Sequence, residues 1–232
     1  MKRGIMILGF VVFQIVMIAS IDLSAEVIKD APRDLLPAAE KIISEKFENP
    51  LWQKEAFPPY FQPWDDFTDF KLGKPFPQYK LHMDVIYKLE NSSDFVDSMK
   101  FLVWLVPIYL GEEEEPRTFL GVKKKDDGNW YFGGMGGDPQ HLILARKNWP
   151  IDEGYKHASL ICTIKVPLIM LEKDNELQFY YYRNDDGGER IFGISKQNNG
   201  SYPIFSKEYL INNVKSDERY INKESVLKLV EN

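Results

Sequence analysis

Shifted by sixty residues, the chain lies over itself. "VPIYLGEEEEPRTF…DDGNWYFG", from Val106, matches "VPLIMLEKDNELQF…DGGERIFG", from Val166, without a gap. Val106 and Val166, Pro107 and Pro167, Glu112 and Glu172, Phe119 and Phe179 coincide; so do Asp126 and Asp186, Gly128 and Gly188, Phe132 and Phe192, Gly133 and Gly193. A fixed period of this kind marks a repeated supersecondary unit. It predicts an internal duplication over residues 98–150 and 158–215. In each copy a strand containing Val-Pro reaches an acidic turn ("GEEEEP", "EKDNE") and a second strand returns. A D-x-G turn, a third strand and a short helix follow. Asp-Gly and Gly-Gly supply the positive φ that tight hairpins need. Asp138 before Pro139, and Ser206 before "KEYLINNV", are capping residues for the two helices. Two β-β-β-α units imply an α+β fold, an antiparallel sheet with its helices on one face.

The N-terminus predicts where the chain goes. Lys2 and Arg3 precede an apolar run from Ile5 to Ala19, and the polar "SIDLSAEV" ends it. That is the layout of a secretory signal peptide over residues 1–25. The run is shorter than the ~20 residues that span a bilayer comfortably. An uncleaved anchor is the alternative, because Leu23 stands where a small residue is preferred before a cleavage site. Cys162 is the one cysteine, so no intramolecular disulfide forms. An exported protein without disulfides fits a bacterial periplasm or cell exterior, with membrane contact only through a retained leader.

Residues 26–79 read as a helix plus an arm, ahead of an α+β body at 80–232. In the helix, Leu36, Ala39, Ile43 and Phe47 form the apolar stripe and Asn49-Pro50 marks the stop. Beyond it, Trp52, Phe57, Tyr60, Phe61, Trp64, Phe67, Phe70, Phe76 and Tyr79 stand among prolines too dense for a regular helix or a central strand. The segment is expected to run extended over the body with most aromatics as anchors; the remainder is a candidate binding surface. "YKLHMDVIYKL" and "MKFLVWLVPIYL" read as strands, and "KESVLKLVEN" as a closing helix.

Chemistry is harder to find. A net charge of −6 argues against a nucleic-acid partner. The one basic run, Lys123 to Lys125, is followed by Asp126-Asp127 and reads as a hairpin end. In "DGNWYFGGMGGDP" the glycines run into a helix start, as a phosphate loop would. Asp138, however, puts a carboxylate where the phosphate would sit, and no Gly-Lys-Ser/Thr follows. The loop reads as a connector. His82, His141 and His157 share no close spacing, Cys162 lies in an apolar strand, and no nucleophile, zinc or calcium-loop motif occurs. No metal or cofactor is implied. Among the many carboxylates, Asp65 and Asp66 beside Trp64 would suit a sugar site, since a glycosidase pair needs only proximity in space. In "FYYYR", Phe179 and Tyr181 alternate with Tyr180 and Tyr182; one face meets the core, and the other either lies under a helix or presents tyrosines to a ligand. The candidate contact residues are therefore Trp64, Asp65, Asp66, Tyr180 and Tyr182.

"LGKPFPQYKL", "WLVPIYL" and "GNWYFGG", between residues 70 and 137, resemble a pattern of poorly characterised exported bacterial proteins. The resemblance implies no activity. The duplicated Val-Pro strand is also similar to the two-copy architecture of chloroplast and cyanobacterial Tic-type import proteins, whose wider sequence features are not matched here. The expectation is an exported, non-catalytic binding or accessory protein recognising a protein, peptide or surface polymer. The alternative is a glycan- or cell-wall-acting hydrolase using a carboxylate pair.

Overall fold

The computed structural model describes residues 27–49, 60–62, 64–81, 94–162, 167–180 and 204–216. The strands are β1 (Phe70–Leu72), β2 (Phe76–Leu81), β3 (Lys100–Leu110), β4 (Thr118–Lys124), β5 (Trp130–Met135), β6 (Lys156–Cys162), β7 (Pro167–Lys173), β8 (Glu176–Tyr180) and β9 (Ile204–Ser206). The helices are α1 (Leu35–Phe47), α2 (Asp94–Asp97), α3 (Gln140–Asn148) and α4 (Lys207–Ser216). The sheet runs β5-β4-β3-β2-β6-β7-β8-β9, with β1 also on β3. Every pairing is antiparallel except β2–β6. The expected α+β class is what the chain adopts. Two antiparallel meanders run outward from that central parallel pair, and α3 supplies the crossover a parallel connection requires.

The sixty-residue period does not carry into strand register. Phe119 pairs with Pro107 across β3–β4. Its counterpart Phe179 pairs with Met170, three residues past Pro167. The acidic turns explain the slip. Between β7 and β8 the chain turns through Asp174 and Asn175 alone, both at positive φ, whereas Ile108 and Thr118 are separated by a long loop. The strand beside β8 is β9 at 204–206; the matched third strand, residues 190–195, lies outside the described residues.

Nor do the helices share one face. The run from Val103 to Ile108 is buried at every position, so both sides of the sheet need cover. Trp104, Val106 and Ile108 join Leu120 and Val122 beneath α1, with Leu35, Ala39, Ile43 and Phe47 in the same cluster. The apolar stripe therefore starts at Leu35, while Leu36 is exposed. On the opposite face Val103, Leu105, Phe76 and Phe119 pack on Leu142 of α3, and Ala145 packs on Ile169, Leu171 and Tyr180.

The proline-rich segment yields strand after all. β2 lies at the sheet centre although it contains Pro77. Its ladder to β6 begins one residue later, at Gln78↔Ser159, so that neighbour asks no donor of the proline. Pro107 is accommodated differently. The partner on one side of β3 breaks between β1 and β2, and the Pro107 carbonyl accepts the Gly73 N–H there at 2.8 Å. The missing N–H of Pro107 faces the same gap. Gly73 is needed for that approach, since a Cβ would come within 2.8 Å of the Tyr109 ring. Upstream of β2, the rings of Phe61, Phe67 and Phe70 gather around Phe47 at 5.1–5.8 Å. These aromatics are anchors, as expected. Trp52 and Phe57 lie outside the described residues.

Candidate functional site

The acidic tryptophan ledge is a set of turns. Asp65 closes its turn by accepting the Gln62 N–H at 2.6 Å, while its own N–H reaches the Gln62 carbonyl at 3.0 Å. Its side chain, only 7% exposed, also lies 3.8 Å from the Arg117 guanidinium, which Glu113 holds from the other side. Asp65 thus ties the segment before β1 to the β3–β4 loop. Asp66 accepts both the N–H and the hydroxyl of Thr68, at 2.8 and 2.7 Å, and those bonds hold its carboxyl below the usual range. Glu113 is likewise lowered, chiefly by its hydrogen bonds from Arg117. Beside these turns lies an open groove lined by Phe47, Phe67, Phe70, Glu48, Asp65 and Asp66. Trp64, next in the chain to Asp65, is 79% exposed, the most exposed large hydrophobic residue among those described.

Of the two expected arrangements for the second face of the tyrosine strand, Tyr180 shows the covered one, packed beneath α3. Phe179 and Tyr180 are both buried, because the sheet is covered on both sides. Tyr180 packs against the Trp149 ring at 4.8 Å, which removes it from any exposed platform. Tyr182 lies outside the described residues, as do His82 and the side chain of Cys162.

The glycine loop serves the fold. Gly136 and Gly137 take positive φ, and the Tyr60 hydroxyl accepts the Gly137 N–H at 3.1 Å. The Asp138 carboxylate accepts the Gln140 N–H at 3.0 Å at the start of α3, and Ser206 Oγ accepts the Tyr209 N–H of α4 at 3.2 Å. Ser206 caps α4 as its sequence position implies; at α3 the N-cap position falls on Pro139 instead, and the Asp138 bond closes a turn just before it. The lysine run is also engaged: Lys124 pairs with Asp34 at 2.8 Å and lies over Trp130, and Lys125 lies over Tyr131.

A second cavity had no signature in the sequence. Where the start of β6 meets the approach to β2, a small open cleft is lined by Lys29, Asp30, Lys74, Arg146, Lys156 and His157 among others. Arg146 projects from the last turn of α3, where its charge suits the helix end. It lies over the Phe76 ring, and its Nη2 donates to the Lys74 carbonyl at 2.8 Å. Its Nε is buried without a partner. His157, 5% exposed, leaves both ring nitrogens buried without a partner. Burial, reinforced by the charge of Arg146, pulls the imidazole down to about 4, so the ring is neutral at pH 7. The carbonyls of Trp149 and Ala145 lie near the ring and oppose that shift. Lys156 is paired with Asp30 at 3.2 Å. These residues come from an entry segment, a loop, a helix end and a strand, so no spacing could have announced them. The one local hint is His157 standing two residues from Ser159 on a strand face that is otherwise apolar.

Among the described residues no group of three His, Cys, Asp or Glu is placed to hold a metal ion, and no helix is long and apolar enough to cross a membrane. Comparisons with family models, curated proteins and solved structures gave no match.

Proposed function

We propose that the chain is an exported, non-catalytic binding or accessory protein of a bacterial envelope or exterior, which recognises a protein, peptide or surface polymer through the ledge carrying Trp64. The observation behind this reading is the exposure of Trp64 at 79% on a turn that Asp65 and Arg117 fix in place. Leaving a large aromatic in water is unfavourable, while an exposed aromatic carried on a fixed turn is a usual anchor of a contact surface. The neighbouring acids supply a polar rim.

The hydrolase alternative has less support. A glycosidase pair needs one carboxyl kept protonated near neutral pH. Asp66 is lowered, and Asp65 is committed to Gln62 and Arg117. Two measurements test the proposal. In a bacterial host, the chain should be recovered from the periplasm or medium at the mass of a form lacking about 25 residues; full-length protein confined to the cytosol would contradict export. If glycan turnover is detected, Asp65→Asn and Asp66→Asn should leave it unchanged; loss of turnover in either variant would favour the hydrolase.

A further inference from the structure

We propose that the cleft between Lys74, Arg146, Lys156 and His157 binds a phosphate group. The case starts from unmet hydrogen bonds. Arg146 Nε and both nitrogens of His157 are buried side-chain atoms without partners, and their residues line one small cleft. Leaving a buried donor unpaired costs about 1–3 kcal/mol, more for a charged group, so atoms of this kind mark a place where a ligand completes the structure. Arg146 is already positioned: Phe76 lies under its guanidinium, the Lys74 carbonyl holds Nη2 and the Tyr109 hydroxyl is a further hydrogen-bond partner, which leaves Nε–H without one.

Charge then selects the ligand. The lining carries Lys29, Lys74, Arg146 and Lys156 against the single carboxylate of Asp30, in a chain whose net charge is −6. A cationic cleft on an acidic protein attracts anions, and a guanidinium edge suits an oxyanion. The neutral imidazole narrows the choice further. Whichever ring nitrogen faces the cleft, it presents either an N–H or a bare lone pair. Hydrogen phosphate has an atom for each, a P–O⁻ to accept or a P–OH to donate. A carboxylate can meet only the N–H. The inference is independent of export and of the Trp64 ledge, so its failure would leave the proposed function standing.

The test is calorimetric titration of the full chain with inorganic phosphate at constant ionic strength, with acetate as the competing class. Saturable one-site binding of phosphate is expected, with acetate at least tenfold weaker. Arg146→Met and His157→Leu should each weaken phosphate at least tenfold. Arg146→Lys keeps the charge and a long stem but lacks Nε–H; it should lose a similar factor while melting as the wild type does, which separates recognition from folding. The absence of saturable phosphate binding would overturn the proposal, as would binding unaltered in the folded variants. Acetate binding as tight as phosphate would overturn the assignment of ligand class.

Discussion

Glu172 holds the start of the described chain, and replacing it should be costly. Its carboxylate, 4% exposed on β7, accepts the Val27 N–H at 2.8 Å and the Ile28 N–H at 2.7 Å. The Tyr79 hydroxyl donates to the Val27 carbonyl at 3.2 Å, and Lys156, opposite Glu172 on β6, pairs with Asp30 at 3.2 Å. Ile28, 2% exposed, is thereby seated in the core. In Glu172→Ala two charge-assisted bonds vanish and two backbone donors lose their acceptor. If the segment stays in place, the unpaired N–H groups cost about 1–3 kcal/mol each. If it peels away, Ile28 leaves the core at a cost of about 1.5–3 kcal/mol. Whichever response costs less is adopted, so the loss should be roughly 1.5–3 kcal/mol. For a chain of this size that lowers Tm by about 3–12 °C. Glu172→Gln keeps one acceptor oxygen and should lose about half as much. Urea unfolding gives the magnitude, and amide exchange at Val27 and Ile28 shows whether release is local. Unfolding free energy within ~0.5 kcal/mol of the wild type, with the two amides still protected, would refute the clamp.

Two more predictions concern folding. His157 has its folded pKa below its unfolded value, at about 4 against 6.5, so the folded state binds fewer protons. Its contribution is intact above pH 6.5 and is lost as the pH falls towards 4, reaching about 3 kcal/mol. The stability of wild type minus that of His157→Leu should decline over this window in urea titrations; a constant difference would mean the ring does not titrate this way. Phe47→Ala empties the centre of the ring cluster formed with Phe61, Phe67 and Phe70, at a cost of about 3–5 kcal/mol. Limited proteolysis should cut earlier between Tyr60 and Phe70 in that variant.

What the sequence showed depended on how local the cause was. Caps and turns were largely legible: Ser206 caps α4, Asp138 turns the chain into α3 one residue before its N-cap, and Gly128 turns the β4–β5 hairpin at φ 86°. Such features depend on a few adjacent residues. Helix placement was not legible from periodicity, because the buried run from Val103 to Ile108 shows that β3 is covered on both faces and says nothing of which helix lies on which. The duplication fails at the register for a related reason. Identities mark which residues recur, while turn length decides which residues pair, and a two-residue turn beside a long one shifts the ladder. Glu112 and Glu172 illustrate the gap: the first is an exposed partner of Lys71 at 3.1 Å, and the second is the buried clamp on Val27 and Ile28. The Arg146–His157 cleft was invisible because its parts meet only after the crossover through α3 brings β6 beside β2.

The measurement closest to the central claim compares the wild type with Trp64→Ala across a panel of peptides, oligosaccharides and cell-wall fragments, read as melting curves. A ligand at a hundredfold over its Kd adds about 2.7 kcal/mol, or roughly 5–11 °C at this chain length. The account predicts such a shift with at least one member of the panel, its loss in Trp64→Ala, and the same Tm for both proteins without ligand. A flat panel, or a shift that survives the removal of Trp64, would contradict the account.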